Sequence, residues 1–521
     1  MSDAARDTKS LAGIAAAAVA LGVTALVAVA FGPQADARTA VGSAVIDLTP
    51  GPVKEWAIQT FATADKLALS VLVLAVIAMI AAVTAMWETR RVPVGSAAIV
   101  VAGILGCAAV LSRAGATLAD VVPTLVGTAC GVAVLRLLTS GRFTKEPDQA
   151  DTPDSPDTPD SPESPDRGRR LWLVTLGFLG AGALSGVGGV VLSRLLSSVS
   201  GERQAFALPP VNVGAPPVPP AVQPNGVALP SFVTSSADFY RIDTALSVPQ
   251  LSRSDWQLKI HGMVDREITY RFADLDRFEA VENLVTLTCV SNPVGGHLIS
   301  NAAWTGYRVR DLLAEAGVHS DADMVLSMSI DGFTAGTPVD ALTDDRDALL
   351  AVGMNGEPLP TAHGYPARLV VPGLYGYVSA TKWVVDLELT RFDRAEAYWT
   401  QLGWSPRGPI KTESRIDVPR SGQDVTRGPV TFGGVAWAQN RGVRAVEVRI
   451  DDGDWKPADL GASYSNDTWR LWSFQWQASQ PGSHTITVRA TDNTGAVQTP
   501  VAADPVPDGA SGWHSVSFAV T

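Results

Sequence analysis

The sequence has little cysteine and little charge for a chain of 521 residues. It contains three cysteines, and charged residues make up 18% of the chain. Cys107 and Cys130 lie in apolar stretches, so Cys289 has no partner for a disulfide within the polar part of the chain and no second thiol for a zinc site. The net charge is −12 and no cluster of Lys and Arg occurs, which argues against a nucleic-acid partner.

Histidine is also missing from the first 200 residues, so helices there are predicted not to ligate haem. What this region has instead is an excess of apolar residues. Five of its stretches approach or exceed the roughly 20 residues that a membrane-spanning helix needs. These predicted spans are residues 11–31, 65–87, 93–112, 117–138 and 171–195.

Lysine and arginine flank these spans at alternate ends, and positive residues near a span stay on the cytoplasmic side. Arg6 and Lys9 precede the first span, and Arg90 and Arg91 follow the second. The pattern predicts a cytoplasmic N-terminus. Five crossings then place everything after residue 200 outside the cytoplasm.

A linker at residues 141–170 separates a four-helix transmembrane domain, residues 1–140, from the fifth helix, residues 171–197. Within it, "DTPDSPDTPDSPESPD" carries an acid at every third position with interleaved proline. Such a segment buries no apolar area and is predicted to be an extended, self-repelling cytoplasmic tether. The alternative is a docking site for a cytoplasmic partner.

Paired arginines, Arg169 and Arg170, precede the apolar core of the fifth helix and resemble a twin-arginine export signal. The alternative is that they only follow the positive-inside rule. The export interpretation applies if the outer domain folds around a cofactor before it crosses the membrane. The triplet Ala205-Phe206-Ala207 is a candidate cleavage site, but we expect the anchor to be retained.

The composition changes twice after the fifth helix. Residues 198–230 are rich in proline and are predicted to be a spacer that lifts the next domain off the bilayer. Residues 231–407 mix short β-like runs with the helical pattern of "YRVRDLLAEAGV", which predicts a mixed α/β domain. Residues 408–521 show strict β periodicity and an Asp-Gly turn, typical of an immunoglobulin-like sandwich.

Cys289 ends an alternating, strand-like run, "NLVTLTC", and its chemistry has three interpretations. It is a buried inert thiol, a nucleophile or a metal ligand. A nucleophile would need a base, for which His297 is the nearest candidate in sequence. A thiolate without protein co-ligands suits a soft metal whose other ligands come from an organic cofactor.

Four ordered blocks resemble the sulfite oxidase family of molybdopterin enzymes. They are "LTCVSN" with "AAWTGYRVRDLLAEAGV", then "MNGEPLPTAHGYPARLVVPGLYGYVSATKWV", then "IKTESRI", and then the β-rich "GVAWAQNRGVRAVEVRIDDGDW". The resemblance covers residues 231–521. It implies that residues 231–407 are a catalytic domain that binds one molybdenum-molybdopterin cofactor, and that residues 408–521 are an immunoglobulin-like domain of the kind that mediates dimerisation.

The resemblance also implies roles for individual residues. Cys289 would be the thiolate ligand of molybdenum and, with Arg241 and Trp304, a catalytic residue. A fixed guanidinium fork and a point charge, as at Arg368 and Lys382, suit the phosphate of the cofactor. The full set of implied cofactor-binding residues is Tyr240, Arg241, Asp243, Cys289, Asp331, His363, Arg368, Thr381 and Lys382.

Two positions depart from the pattern of the enzymes that oxidise sulfite. Those enzymes have an arginine shortly after the ligand cysteine, where "CVSNPVGGH" has proline and glycine. They also have a tyrosine at the metal, which is replaced near Gln401 of "YWTQLGW". The lower positive charge favours a neutral or weakly charged substrate, such as a sulfoxide or N-oxide to be reduced, over sulfite. No haem domain like that of the animal enzymes is predicted.

The sequence thus predicts a multi-pass, membrane-anchored oxidoreductase whose catalytic domain is extracytoplasmic. It would transfer an oxygen atom or two electrons to or from a small molecule at a cysteine-ligated molybdenum. The expected partners are the membrane, a separate membrane redox partner and a second copy bound through residues 408–521. The alternatives are sulfite oxidase or dehydrogenase activity, and a cofactor-free membrane-anchored binding protein in which Cys289 is inert.

Overall fold

The computed structural model describes most of the chain, in two compact units. The first unit comprises residues 1–198 and 244–247, and the second comprises residues 199–243 and 248–521. The acidic repeat lies outside the described residues. The described residues are 3–32, 35–50, 53, 65–113, 116–140, 167–242, 244–245 and 247–521.

The first unit is helical. Among its described helices, all but the short α2 are long and apolar enough to cross a membrane, which agrees with the five predicted spans. The helices are α1 (Asp3–Ala28), α2 (Ala37–Leu48), α3 (Asp65–Met86), α4 (Val94–Leu111), α5 (Val122–Thr139) and α6 (Arg167–Ser197).

Helices α1 and α6 approach each other along a row of small residues. A Cβ at Gly182 of α6 would lie 2.5 Å from the backbone of Ala18, and a Cβ at Gly189 would lie 2.6 Å from the backbone of Ala25. Gly22 of α1 in turn faces the carbonyl group of Gly182. Glycine permits this backbone-to-backbone packing, which is common between membrane helices. The last predicted span therefore packs on the first, which its position after the linker did not indicate.

The second unit begins with α7 (Ser200–Ala205), and the part before the C-terminal sandwich contains two sheets with short helices around them. One sheet has the order β2-β1-β10-β5-β6, and the other has the order β3-β4-β7-β8 with β9 also paired to β7. The strands are β1 (Gln257–Gly262), β2 (Ile268–Arg271), β3 (Ala280–Thr288), β4 (Ile299–Arg308), β5 (Met324–Ser329), β6 (Thr334–Pro338), β7 (Leu349–Met354), β8 (Glu357–Pro358), β9 (Arg368–Val370) and β10 (Val384–Thr390). The helices are α7, α8 (Val309–Ala316), α9 (Val339–Thr343) and α10 (Tyr398–Gln401).

The predicted helix in "YRVRDLLAEAGV" is confirmed as α8. Its apolar residues Val309, Leu312, Leu313 and Ala316 are buried, because their spacing places them on one face. Gly317 has a φ of 70°, a left-handed conformation that glycine adopts readily, and it ends the helix.

The C-terminal part of the second unit is a sandwich of two sheets, with orders β11-β13-β17-β16 and β12-β19-β18-β14-β15. Phe432, Trp472, Val448 and Phe518 belong to the apolar core between them, as the alternating pattern predicts. The strands are β11 (Glu413–Val418), β12 (Asp424–Val425), β13 (Gly428–Trp437), β14 (Val443–Ile450), β15 (Lys456–Pro457), β16 (Asp459–Leu460), β17 (Arg470–Ala478), β18 (Gly482–Asp492) and β19 (His514–Val520).

The Pro-rich segment 208–230 runs across the second unit. The backbone N–H of Asn212 donates to the carbonyl oxygen of Ala280 at 2.9 Å. Further along, the carbonyl oxygen of Pro216 accepts a 2.7 Å hydrogen bond from the hydroxyl of Tyr464. The expected spacer is therefore bonded to the globular unit, because its backbone groups find partners on both the α/β domain and the sandwich.

Candidate functional site

Cys289 directly follows β3, at the start of the loop to β4. Its backbone N–H donates to the carbonyl oxygen of Leu298 at 2.9 Å, which extends the pairing one step beyond Thr288 and Ile299. The thiol is half-buried, and no cysteine forms a disulfide in the described part of the chain. The sheet therefore holds the backbone of Cys289 in place.

Tyr240 lies near Cys289. Its backbone N–H donates to the hydroxyl of Ser300 at 3.2 Å. Burial raises the pKa of Tyr240, the charge of Cys289 raises it further, and the positive charge of Arg368 partly offsets both effects. The phenol, the thiol and the guanidinium thus lie within electrostatic range of one another.

Gly376 borders the same space. A Cβ at this position would lie 3.8 Å from the hydroxyl oxygen of Tyr240 and 3.9 Å from the carbonyl oxygen of Thr288, the residue before Cys289. A side chain larger than a methyl group at this position would project into the region between the phenol of Tyr240 and the loop that begins at Cys289. The absence of a side chain at Gly376 therefore keeps that region open.

Arg368 is a buried cation, with 5% of its surface exposed. Its guanidinium donates to the carbonyl oxygens of His363 at 3.1 Å and of Leu369 and Ala380 at 3.3 Å, and it lies 5.0 Å from the centre of the Trp304 ring. Burial lowers its pKa to about 10. All three acceptors are neutral carbonyl oxygens. Among the described residues, no carboxylate accepts a hydrogen bond from this guanidinium.

His363 is buried beside this guanidinium. Burial, followed by the positive charges of Arg368 and Lys382, lowers the pKa of His363 to about 4, so its ring is neutral at pH 7. Arg241 contributes a smaller effect of the same sign. The structure thus brings four predicted cofactor-binding residues, His363, Arg368, Lys382 and Arg241, into one positively charged region.

Lys382 and Thr381 reach this region from the loop before β10. The ammonium of Lys382 donates to the carbonyl oxygen of Ile242 at 3.1 Å. Thr381 is fully buried, and its hydroxyl lies 2.7 Å from that of Ser327. Gly364 has a φ of 111°, and a Cβ there would lie 2.9 Å from the Cβ of Arg368 and 3.2 Å from that of Lys382. Glycine at this position lets the two basic side chains start close together.

The other predicted residues are Asp331, Trp304, Arg241 and Asp243. Asp331 lies in the turn between β5 and β6, where it accepts a 3.2 Å hydrogen bond from the backbone of Phe333. Trp304 is fully buried and donates to the carbonyl oxygen of Val285 at 3.2 Å. Its ring packs against the guanidinium of Arg368. Arg241 is exposed. Asp243 lies outside the described residues.

Phe239 contacts three of the predicted site residues and was missed by the sequence analysis. Its ring stacks on Tyr240 at 5.3 Å and meets Trp304 and His363 edge-on, both at 5.5 Å between ring centres. The ring of Phe239 therefore contacts three predicted residues that lie far apart in the sequence. Its position directly before Tyr240 in "FYRID" was the available signal.

The sandwich supports the strand that leads to Cys289. The side-chain amide of Gln439 is fully buried and donates to the carbonyl oxygen of Thr286 at 3.1 Å and to the hydroxyl of Thr288 at 3.0 Å. From the other side, the hydroxyl of Thr286 accepts a 2.8 Å hydrogen bond from the backbone of Trp469. Buried hydrogen bonds of this kind specify one position for the strand.

A cavity of 720 Å³ lies where the loop after Cys289 meets the sandwich. Arg415 lines it, donates to the carbonyl oxygen of Gly296 at 2.9 Å and forms a 2.8 Å ion pair with Asp417. His297 and His514 also line it. Burial lowers the pKa of both histidines, and the charge of Arg415 lowers them further. His297 thus lies in a charged cavity wall.

The residues around Cys289 fit an anionic cofactor that carries a soft metal. A buried guanidinium without a carboxylate partner costs free energy unless an anion compensates it. A dianionic phosphate would do so, with Lys382 as a second cation. The neutral ring of His363 has one donor and one acceptor nitrogen, one of which is hydrogen-bonded to the backbone of Ser236. The thiol of Cys289 supplies a soft ligand.

Comparison with known proteins agrees with this chemistry. Residues 245–399 match the model described as "Oxidoreductase molybdopterin binding domain", and residues 413–488 match "Bacterial Ig domain". Human mitochondrial sulfite oxidase is 29% identical over 303 residues, which cover 49% of this chain and 55% of that protein. The chain thus spans about half the length of such curated relatives.

Two further similarities were found. An uncharacterized oxidoreductase, YuiH of Bacillus subtilis (strain 168), is 33% identical over 153 residues, which cover 29% of this chain and 74% of that protein. The structure of sulfane dehydrogenase SoxCD from Paracoccus pantotrophus gives a TM-score of 0.46 at 25% identity, covering 52% of this chain and 75% of that chain. That superposition is too partial to support a functional conclusion.

The α/β domain and the matched model place residues 245–399 in the class of molybdopterin-binding oxidoreductase domains. More specifically, the chain belongs to the sulfite oxidase family of molybdopterin-dependent oxidoreductases. The C-terminal sandwich is the immunoglobulin-like domain that the sequence predicts. The alternative of a cofactor-free binding protein is therefore set aside.

Proposed function

We propose that this protein is a membrane-anchored, extracytoplasmic oxidoreductase that acts on small S-oxides or N-oxides. The observation that carries the assignment of the site is the buried guanidinium of Arg368, which carbonyl oxygens hold in place. Arg368 and Cys289 both affect the pKa of Tyr240, so the three side chains lie within electrostatic range of one another. When bound, the cofactor supplies two-electron or oxygen-atom transfer. The protein contributes binding, orientation and electrostatics.

The side chains have distinct proposed roles in holding the cofactor. Cys289 binds the molybdenum as a thiolate. Arg368 and Lys382 bind the phosphate, the former as a fixed fork and the latter as a point charge. The neutral ring of His363 hydrogen-bonds the pterin, and Tyr240 lines the space beside the thiol.

Other predicted residues have supporting roles in this proposal. For Thr381 the proposed contact is its backbone N–H, because its hydroxyl lies 2.7 Å from that of Ser327 and its carbonyl oxygen accepts the backbone N–H of Leu369 at 2.9 Å. Trp304 supports Arg368 from below and, with Arg241 at the exposed edge, is assigned to the catalytic centre. Asp331 and Asp243 are further proposed contacts of the pterin.

The preference for a weakly charged substrate follows from the loop after Cys289. Residues 290–296 contain no lysine or arginine. Arg415 of the sandwich reaches this loop, but its 2.8 Å ion pair with Asp417 offsets its charge. Sulfite would therefore find little uncompensated positive charge here, whereas a sulfoxide or N-oxide needs none.

Sulfite oxidation is the second candidate function. It is favoured by the names of several relatives, which are sulfite oxidases of human, mouse and chicken. It is also favoured by the exposed guanidinium of Arg241, which could attract an anion toward the site.

The location is proposed from the N-terminal helices. In the part of the chain that the structure describes, five helices are long and apolar enough to span a membrane, which supports membrane association. The flanking charges support a catalytic domain on the outer side. We further propose that electrons come from a separate membrane redox partner and that residues 408–521 contribute to a homodimer.

Steady-state assays of the full-length protein in detergent test the substrate. An artificial electron donor is supplied with methionine sulfoxide or trimethylamine N-oxide, and an artificial acceptor is supplied with sulfite. We expect turnover of at least one oxide and sulfite turnover at least about tenfold slower. Rapid sulfite turnover with inactive oxides would contradict the proposed substrate class, and the variant Cys289→Ser serves as the inactive control.

A further inference from the structure

The short helix α7 begins after only two intervening residues from the end of α6, and its acidic side chain, Glu202, contacts the catalytic domain. One carboxylate oxygen of Glu202 accepts hydrogen bonds from the backbone N–H of Arg253 at 2.8 Å and from its guanidinium at 3.1 Å. The same oxygen accepts the hydroxyl of Tyr365 at 2.9 Å. Tyr365 is fully buried, so its hydroxyl depends on this partner.

The next residue, Arg203, binds the chain just before the proposed cofactor-binding turn. Its guanidinium donates to the carbonyl oxygens of Leu359 and Pro358, each at 2.8 Å, and makes a 3.4 Å contact with the carboxylate of Glu357. These acceptors precede the turn that contains His363. One arginine thus holds two consecutive carbonyl groups in a fixed direction.

Apolar contacts continue the attachment beyond α7. The ring of Phe206 meets that of Phe272 edge-on at 5.4 Å, and the guanidinium of Arg253 lies 4.1 Å from the Phe206 ring centre. Leu208 packs against Gly353 so closely that a Cβ there would lie 2.8 Å from a methyl carbon of Leu208. Residues 200–208 are therefore part of the catalytic domain.

We propose that Glu202 and Arg203 are positioning residues that brace the cofactor-binding segment from Glu357 to Arg368. This inference rests on the proposed role of His363 and Arg368 in cofactor binding. Tyr365 lies between these two residues in the chain, and the guanidinium of Arg368 is bonded to the carbonyl oxygen of His363 at 3.1 Å.

The contacts of Glu202 and Arg203 also affect what proteolytic cleavage after α7 would do to the catalytic domain. The candidate cleavage site at Ala205-Phe206-Ala207 lies directly after the two bracing residues and within the packed segment. Cleavage there would remove Glu202 and Arg203 from the domain that they support. Retention of the membrane anchor thus also retains part of the cofactor site.

The test measures molybdenum and pterin per chain, and the rate of cofactor loss, in full-length protein purified in detergent. We expect Glu202→Ala and Arg203→Met each to accelerate cofactor loss at least about fivefold, because a mobile segment holds the phosphate and pterin less well. Gln204→Ala, at an exposed position of the same helix, is the matched control and should match the wild type.

Tyr365→Phe provides a gentler variant, since it removes only the hydroxyl that donates to Glu202. Its effect should be no larger than that of Glu202→Ala, which also loses the two hydrogen bonds from Arg253. The double variant should be no worse than Glu202→Ala alone, as for two members of one interaction. Unchanged cofactor loss in Tyr365→Phe and Arg203→Met would overturn the brace. So would additive effects of Glu202→Ala and Tyr365→Phe.

A parallel Arg368→Met variant separates this inference from the function on which it rests. If Arg368→Met loses cofactor while the brace variants keep it at the wild-type rate, the brace is wrong and the site assignment stands. If Arg368→Met retains cofactor as the wild type does, the proposed site itself is wrong. Thermal unfolding of the cofactor-free proteins shows whether a variant is simply misfolded.

Discussion

At the residue scale, the thiol of Cys289 is the least replaceable group in the proposed site. Cys289→Ser exchanges a soft thiolate for a hard, poorly ionised hydroxyl of similar size, so the fold should persist. We expect activity to fall at least about 100-fold while circular dichroism stays unchanged. The matched controls are Cys107→Ser and Cys130→Ser, which change thiols in the apolar helices and should remain active. An active Cys289→Ser enzyme is incompatible with metal ligation.

Arg368 provides a second prediction, because its charge should destabilise the cofactor-free fold and strengthen cofactor binding. A buried guanidinium without a carboxylate destabilises the cofactor-free fold, and an anionic cofactor compensates that cost. Arg368→Met should therefore leave the cofactor-free protein at least as stable as the wild type while pterin content falls about tenfold or more. Calorimetry and pterin fluorescence measure the two effects.

Arg308 is the contrasting control, because it pairs with Glu279 at 2.6 Å and with Asp347 at 3.1 Å. Arg308→Met should lower the free energy of unfolding by about 1 kcal/mol and leave pterin content unchanged. A large loss of stability in cofactor-free Arg368→Met would show that its charge is already compensated.

The ring of His514 predicts a pH dependence of stability. Its Nδ1 accepts the backbone N–H of Ile416 at 3.0 Å, and burial, with Arg415 and His297 nearby, lowers its pKa to about 4. Between pH 6.5 and 4 the unfolded chain binds the proton that the folded state excludes. This contribution to stability is thus complete above pH 6.5 and is lost as the pH falls.

His514→Asn keeps an acceptor and removes the titration, so its unfolding free energy should fall less steeply below pH 6.5. The difference is at most one proton, or about 1.4 kcal/mol per pH unit. Unfolding curves at pH 7, 6, 5 and 4 measure it. His484→Asn is the control, and its effect on the pH dependence of the unfolding free energy should have the opposite sign, because the hydrogen bond to Asp451 raises the pKa of His484. An identical slope for His514→Asn and wild type contradicts the prediction.

At the scale of elements, the glycine row between α1 and α6 predicts a position-specific effect. Gly182→Val would place side-chain atoms against the backbone of Ala18, whereas nothing lies within 4 Å of a Cβ at Gly188 of the same helix. We expect Gly182→Val to destabilise the helical unit by about 1–3 kcal/mol and Gly188→Val to be tolerated. Thermal unfolding in detergent compares them. Equal behaviour of the two variants would mean that α1 and α6 do not pack there.

At the scale of the whole molecule, cofactor insertion must precede export if the cofactor is made in the cytoplasm. Changing Arg169 and Arg170 both to Lys keeps the positive flank but removes the twin-arginine signal. We expect the catalytic domain to remain inside, as measured by a C-terminal reporter that is active only outside the cytoplasm. The same exchange at Arg90 and Arg91 is the control and should not affect export. Normal export of the first variant would reduce the pair to a topology signal.

Much of this protein follows from contiguous sequence. Runs of apolar residues predicted the five long helices, and alternation predicted the sandwich, because helix and strand periodicity depends on neighbours in the chain. The blocks around Cys289 and Arg368 indicated the family, since each block carries several site residues within a short stretch. What they did not contain is the set of contacts that holds those blocks in place.

Only the tertiary structure decided which distant residues support the site. The side chain of Arg415 reaches the loop after Cys289 across 119 positions, and Gln439 reaches Thr286 across 153. Glu202 meets Tyr365 across 163 positions, although Glu202 lies within residues 198–230, which the proline content had predicted to be a spacer. Such pairs have no local periodicity to reveal them. They form because packing in the fold brings buried polar groups together, and each of those groups then needs a partner.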